Sequence, residues 1–298
     1  MLTRSLKVVT LLSLFSFVLG LAGHANADTV SYWRFDQDDQ WDTQLDDSVG
    51  GHPLDNSAWH VSTEKGGLWD PVPNSGASNS RHLQFDTSWE YDDYVYTDAG
   101  SPDIWTPSEG FTIEAMVKPS AVRDAPIVCH CADTNPNSGW SFELAESGSH
   151  CSPKLRIYNG SDKAEITFEE FSVAAGQTYA LAATYDGNSE IELFAREKAD
   201  PSVSLNSKSK IVSAFGEVAA SDNPLMVGAH GKPFSDNRDN FGGVLDEVRF
   251  SSGALSESDL LMATPEPGTT CLAILAAAAG VFAVWRKKRK QDSADRGE

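Results

Sequence analysis

Apolar and polar residues alternate through the middle of the chain. In Phe111-Thr-Ile113-Glu-Ala115-Met-Val117-Lys118 the odd positions are apolar and the even ones mostly polar, a period of two that predicts half-buried strands with odd positions facing in. The pattern recurs in Trp140-Ser-Phe142-Glu-Leu144, Leu155-Arg-Ile157, Ile166-Thr-Phe168, Tyr179 to Tyr185 and Ile191-Glu-Leu193. Turn signals at Asn159-Gly160, Asp186-Gly187-Asn188 and Ser221-Asp222-Asn223-Pro224 separate several of these runs. No amphipathic helical pattern of comparable length intervenes. Only Ser256 to Met262, with Ser256 and Asp259 in capping-box spacing, predicts one or two helical turns. Many short strands joined by turns predict an all-β, two-sheet antiparallel sandwich of the jelly-roll kind.

The two ends read differently. Arg4 and Lys7 precede an apolar stretch from Val8 to Leu21, and Ala25-Asn26-Ala27 precede Asp28; a basic region, an apolar core and a small-x-small site predict a signal peptide over 1–27, cleaved between Ala27 and Asp28. At the other end Thr264 to Gly268 punctuate the chain, Cys271 to Trp285 are nearly all apolar, and five basic residues, Arg286 to Lys290, follow. Basic residues abutting an apolar segment mark the cytoplasmic side and put the body outside. The 271–285 helix is short for a hydrocarbon core of about 30 Å, as suits a tail that an enzyme reads and removes. The expected organisation is a signal peptide at 1–27, one domain at 28–262, and a sorting tail at 263–298.

Two resemblances follow from these residues. Pro265-Glu266-Pro267, the apolar helix and the basic cluster resemble the PEP-CTERM sorting signal, which implies processing by an exosortase and a transient stay in the inner membrane. Within the body, Val30-Ser-Tyr-Trp-Arg-Phe-Asp36, Asp46-Asp-Ser-Val-Gly50, Phe111 to Pro119, Gly176 to Gly187, Leu225-Met-Val-Gly228 and Phe241 to Phe250 occur in an order that resembles the laminin G-like, concanavalin A-like jelly rolls. Departures are Met116, where that family commonly has an aromatic, and a Gly/Ser-rich insertion around Trp59 to Ser80. The resemblance implies a binding module and makes calcium at loop edges an expectation.

Charge narrows the partners. The 298-residue chain carries a net charge of −20, and removing both ends takes away more basic than acidic residues. Such a surface repels phosphate backbones, so nucleic acid is excluded as a partner; cations, neutral glycans and basic protein patches suit it. Cysteine adds one expectation. Cys271 lies in the tail, and cysteines two apart on a strand are poorly placed to bond each other, so Cys151 is expected to pair with Cys129 or Cys131. A metal site from Cys129, His130, Cys131 and Cys151 is the alternative, although His130 would point away from its neighbours.

Candidate chemistry is sparse. Asp246 shares parity with Val244, Val248 and Phe250, so its carboxylate is expected on the apolar side, held by backbone amides or a Trp or Tyr, or by a cation; Glu247 is expected outside, paired with Arg249. Calcium takes six to eight oxygens, and two acidic loops offer them: Asp36, Asp38 and Asp39, and Asp236, Asn237 and Asp239, with Asp246 a further candidate. Trp41 stands where an EF-hand loop needs glycine. Glu-x-Asp-x-x-Glu, Gly-x-Ser-x-Gly and His-Glu-x-x-His are absent, which argues against a glycosidase, an α/β-hydrolase and a zinc protease. Trp59, Trp69, Trp89, Tyr91, Tyr94, Tyr96 and Trp105 lie in or beside irregular segments, either stacking on sugar rings or capping the ends of the core. The reading is a non-catalytic exported surface or matrix protein that binds a glycan or protein, handled by signal peptidase and exosortase. The alternatives are a purely structural matrix component and a polysaccharide-active enzyme.

Overall fold

The computed structural model describes residues 28–37, 43–56, 61–85, 93–98, 102–131, 137–198, 205–212, 215–230 and 240–263. Signal peptide and sorting tail therefore lie outside the described residues. Numbered in chain order, the first sheet runs β14 (Asn206–Ile211), β13 (Glu190–Glu197), β12 (Tyr179–Tyr185), β7 (Phe111–Pro119), β16 (Gly243–Ser252), β5 (Arg81–Phe85) and β4 (Ser62–Lys65), with β1 (Thr29–Trp33) also paired to β16. The second runs β11 (Lys163–Thr167), β10 (His150–Tyr158), β9 (Gly139–Ser147), β8 (Ala125–Cys131), β15 (Met226–Val227), β6 (Val95–Thr97), β3 (Leu54–Asp55) and β2 (Gln44–Leu45). Every pairing is antiparallel. The architecture is the expected jelly-roll sandwich.

Alternation fills the space between the sheets. Phe111, Ile113, Ala115 and Val117 of β7 meet Trp140, Phe142 and Leu144 of β9 and Leu155 and Ile157 of β10 in one core. An aromatic stack runs through it: Phe111 lies 5.0 Å from Trp140, and Trp140 lies 5.6 Å from Phe250, nearly parallel. The turns form where they were expected. Asp186 Oδ1 accepts the backbone N–H groups of Asn188, Ser189 and Glu190 at 2.9, 2.7 and 2.8 Å, and Gly187 takes φ +78°, which closes the β12–β13 hairpin. The predicted C-terminal helical turn is a single 3-10 turn, Glu257–Asp259.

The first sheet departs from simple alternation, because its outer face is covered as well. Leu68, Trp69 and Val72 of the 66–80 segment and Leu260, Leu261 and Met262 pack on Met116, Ala180, Ala182, Phe194 and Val244. The even positions of β7 expected in solvent, Thr112, Glu114 and Met116, are therefore buried. Lys118 alone keeps the expected exposure.

A bulge overturns the parity argument for β16. Its pairing with β7 slips between Asp246 and Arg249, and Glu247 sits at φ +50°, so the faces exchange there. Leu245 points into the inter-sheet core, as do Val248 and Phe250 beyond the bulge, whereas Val244 and Asp246 face the outer cluster. The bulge lies where the neighbour of β16 changes from β5, paired to Gly243–Leu245, to β1, paired to Val248–Ser251.

Candidate functional site: an open cleft at the edge of the second sheet

β2, β3 and β6 end the second sheet in register, with Gln44 opposite Asp55 and Asp55 opposite Tyr96. Their neighbours Leu45, Leu54 and Val95 are fully buried in the core, so the period of two turns Gln44, Asp55 and Tyr96 to the other face. Asp98 shares that parity two residues beyond Tyr96. With Gly51, His52, Pro53, Thr97, Ile104 and Trp105 they line an open cleft of about 580 Å³, within the size range of small-ligand sites.

The walls of this cleft are fixed by the core. Asp47 takes the N–H groups of Tyr32 (2.9 Å) and Val49 (3.0 Å) on Oδ1 and that of His52 (3.0 Å) on Oδ2, which folds the 47–52 turn around one carboxylate. Burial opposes the Asp47 charge, but these donors outweigh it and hold the carboxyl below its ordinary range. The carbonyl of His52 accepts the Trp33 indole N–H at 2.8 Å, and its ring meets Trp105 edge-on at 5.5 Å. Trp105 is locked in turn, 5.9 Å from Trp33 and 5.3 Å from Phe250, and its carbonyl accepts the Trp140 indole N–H at 2.7 Å. The lining offers two carboxylates, an amide, an imidazole, two hydroxyls and aromatic rings, and among the described residues no lysine or arginine. Carboxylate and amide oxygens accept hydrogen bonds from hydroxyls, and aromatic rings supply apolar faces.

Further along the same sheet, Ser141, Glu143 and His230 form a second polar group. Ser141 Oγ lies 2.8 Å from His230 Nε2 and 3.0 Å from Glu143 Oε2, and His230 Nε2 lies 3.2 Å from the same Glu143 oxygen. Serine and acid thus meet one imidazole nitrogen, whereas a proton relay needs them on opposite nitrogens. Lys154 (3.2 Å) and Arg156 (2.9 Å) complete the cluster. Burial opposes the Glu143 charge, but the His230 contact and the cations hold its carboxyl down to about 2.

The residues singled out from sequence are distributed as follows. Both oxygens of Asp36 are engaged: Oδ1 accepts from Ser80 N (2.7 Å), Ser80 Oγ (2.8 Å) and Arg81 N (3.2 Å), and Oδ2 pairs with Arg34 at 3.0 Å. Asp246 is fully buried; Leu68 N and Asn79 Nδ2 each donate to Oδ2 at 2.7 Å, and Glu247 N donates to Oδ1 at 2.9 Å. Asp36 and Asp246 therefore bind donors within the fold, and among the described residues no group of three His, Cys, Asp or Glu side chains is placed to hold a metal ion. Asp38, Asp39, Asp236, Asn237 and Asp239 lie outside the described residues, as do Trp59, Trp89 and Tyr91. Glu247 is not on the exposed face: it is buried and bonds the Tyr32 hydroxyl and Arg34, while Arg249 pairs with buried Glu114, its Nε 2.5 Å from Oε2. The bulge makes this exchange of partners. Trp69 and Tyr94 are 8% and 3% exposed; Trp69 packs in the outer cluster with the Arg196 guanidinium 5.5 Å from its ring, and Tyr94 packs with Met226 and Ala229. Both are core-capping residues rather than exposed sugar platforms.

The disulfide also differs from expectation. Cys129 bonds Cys131, with Cα atoms 5.7 Å apart, inside the range that a disulfide spans. Cys151 is a buried free thiol whose Sγ meets the Arg123 carbonyl at 3.3 Å. Strand β9 separates it from the pair: Cys129 stands opposite Ser141, Ser141 opposite Arg156, and Cys151 lies five residues further along β10, an offset of about 17 Å along the strand alone.

Of the cleft residues, Tyr96 and Trp105 stand among the aromatics of the irregular segments, whereas Gln44, His52, Asp55 and Asp98 carry no sequence motif, and only the pairing of three short strands brings Tyr96 beside Asp55 and Gln44.

No curated protein sequence matches the chain. Among solved structures, domain 4 of AbnA, a GH43 extracellular arabinanase from Geobacillus stearothermophilus, in complex with arabinotriose, is 16% identical over 80% of this chain and 98% of that one, at TM-score 0.47. The Ruminococcus gnavus IT-sialidase CBM40 bound to alpha2,3 sialyllactose is 16% identical over 57% of this chain and 91% of that one, at TM-score 0.43. The receptor-binding domain of botulinum neurotoxin type G is 12% identical over 78% of this chain, at TM-score 0.47, and the chain spans 50% of it. Residues 86–260 match the laminin G-like family described as the concanavalin A-like lectin/glucanases superfamily, and with the two-sheet jelly roll and its ordered motifs in place, the chain belongs to that family.

Proposed function

We propose that the protein is a non-catalytic, exported glycan-binding module whose binding site is the cleft formed by β2, β3 and β6. The observation that carries this reading is the cleft itself: an open cleft of about 580 Å³ whose Asp55, Asp98, Gln44 and His52 acceptors lie with the Tyr96 ring, with no cationic side chain in its lining among the described residues. Acceptors of this kind bind sugar hydroxyls, and an aromatic ring covers the C–H face of a pyranose or furanose. The anionic lining favours a neutral glycan over an acidic one. A rigid wall lowers the ordering cost of binding.

Export by the N-terminal signal and exosortase processing at Pro265-Glu266-Pro267 complete the proposal and place the mature body at the cell surface or outside the cell. Mass spectrometry of the mature protein tests this part: termini at Asp28 and near Pro267 are expected, and an intact tail on all the mature protein contradicts it. Calcium at Asp38, Asp39, Asp236, Asn237 and Asp239 is a separate proposal, tested by melting with and without chelator; an unchanged Tm at every calcium concentration rejects it.

For the binding site, hexasaccharides from glucan, xylan, mannan and arabinan are titrated calorimetrically against the wild type and Tyr96→Ala and Asp98→Ala variants. Binding of at least one neutral probe, weakened about tenfold or more by either substitution, as expected for loss of 1.4 kcal/mol or more, supports the site. Binding indifferent to both substitutions, or no binding, rejects it.

A further inference from the structure

A second cleft lies at the opposite edge of the sandwich. Strands β14 and β11 end their respective sheets, and they are tied together, since Lys208 Nζ meets Glu170 at 2.9 Å and Lys210 Nζ donates to the Glu165 carbonyl at 2.7 Å. Between them Phe168, Glu170, Phe171, Ser172, Glu197, Asn206, Ser207 and Lys208 enclose about 560 Å³, nearly the volume of the first cleft.

Its construction repeats that of the first. The floor is backed by the core: Phe168 and Phe171, 5% and 9% exposed, are core residues that show only an edge to the cleft, Phe168 lies 5.7 Å from Phe171, and Phe171 meets Tyr179 edge-on at 5.8 Å. Backbone bonds fix the supporting segment, from Phe168 N to Pro153 O at 2.8 Å and in both directions between Cys151 and Val173 at 2.9 and 2.8 Å. The rim again carries two carboxylates, Glu170 and Glu197, an amide, Asn206, and hydroxyls, Ser172 and Ser207. Among the described lining residues the one cation, Lys208, is paired with Glu170.

We infer that this cleft is a second glycan site, so that one chain holds two glycan strands at once and cross-links them. The inference rests on the glycan-binding reading of the first cleft. The first cleft centres on β3 and the second on the β11 edge, six strand steps apart in the second sheet, roughly 30 Å at about 4.8 Å per step. Two sites on opposite edges are too far apart to grip one short oligosaccharide together but are well placed to bridge two polymer strands. Bivalence of this kind raises avidity toward a repeating polymer without any new contact. A protein that links matrix polymers is thereby both a binder and a structural component.

The test uses the full chain and the same four hexasaccharides, with glucan, xylan, mannan and arabinan polymers for cross-linking. Ser207→Trp plugs the mouth of the second cleft and Glu170→Ala removes a rim acceptor; both positions lie outside the core, and circular dichroism checks folding. The expected result is two hexasaccharides per wild-type chain, one per chain in Ser207→Trp, and in Asp98→Ala two of which one is weakened about tenfold or more. The matching polymer is cross-linked by the wild type, seen as light scattering at a protein-to-polymer optimum, but by neither single variant. A stoichiometry of one whose affinity Asp98→Ala lowers and Ser207→Trp and Glu170→Ala leave untouched overturns the second site and spares the first. Absence of binding to all four probes overturns both.

Discussion

Glu143 shows how a single carboxyl becomes a structural element here. It is nearly buried, and His230, Arg156 and Lys154 surround it; its folded-state value near 2 lies below the unfolded carboxyl range of about 4.3. The stabilisation from this depression is complete at neutral pH, declines once pH falls below about 4, and is gone below the folded value. A shift of that size corresponds to roughly 3 kcal/mol. Urea unfolding of the wild type and Glu143→Gln is expected to differ by about that amount at pH 7 and by much less at pH 2.5; a gap that stays constant removes the ionised group from the explanation. Asp246 works in the opposite sense. Burial drives its carboxyl well upward despite the Asn79 and Leu68 donors, so its charge costs stability as pH rises through and above the ordinary aspartate range. Sequence marked Asp246 as a buried acid needing partners, and that is what it is. Glu143 carries no such mark in the sequence, because its cations stand on β10 and its histidine beyond β15, and strand register is a non-local property.

At the scale of elements, the covered outer face of the first sheet is the largest departure from the alternating pattern. Asp246 anchors the 66–80 segment through Leu68 N and Asn79, and Lys198 Nζ donates to the Leu68 carbonyl at 2.6 Å. Asp246→Ala takes the carboxylate acceptor from two buried N–H groups, those of Leu68 and Glu247, and from the Asn79 amide, and is expected to cost about 2–4 kcal/mol. The Leu68 amide should then exchange with solvent at least tenfold faster, a change that hydrogen-exchange mass spectrometry of this segment detects; unchanged exchange denies Asp246 its anchoring role. The disulfide is a smaller device. It closes a loop of three residues within β8, for which chain entropy gives no more than about 2 kcal/mol. Reduction is therefore expected to move the Tm by only a few degrees. A non-reducing peptide map should show Cys129 and Cys131 cross-linked within one peptide and Cys151 alkylated only after unfolding. A Cys151 cross-link in that map contradicts the assignment.

Charge acts over the whole molecule. With a net charge of −20 and clefts rimmed by carboxylates, binding that depends on hydroxyl hydrogen bonds and ring stacking should be insensitive to salt. Raising ionic strength from about 0.05 to 0.5 M shortens the Debye length severalfold and is expected to change the affinity for a neutral glycan by less than about twofold, measured by calorimetry. A steep fall with salt would point to an electrostatic partner instead. The sequence alone determined the strand class and its turns, since alternation such as Phe111 to Val117 and the Asp186-Gly187-Asn188 turn act within a few residues. It also carried the family resemblance, because the ordered motifs supply the Trp33, Phe111 and Phe250 core and the Asp47 turn. Only the tertiary structure decided which face each residue of β16 occupies, because one bulge residue at Glu247 exchanges the faces. It also decided which cysteines bond, which aromatics are covered, and where the clefts open. Those outcomes depend on register between strands as far apart in sequence as β3 and β6, or β5 and β16, and no local periodicity encodes that register.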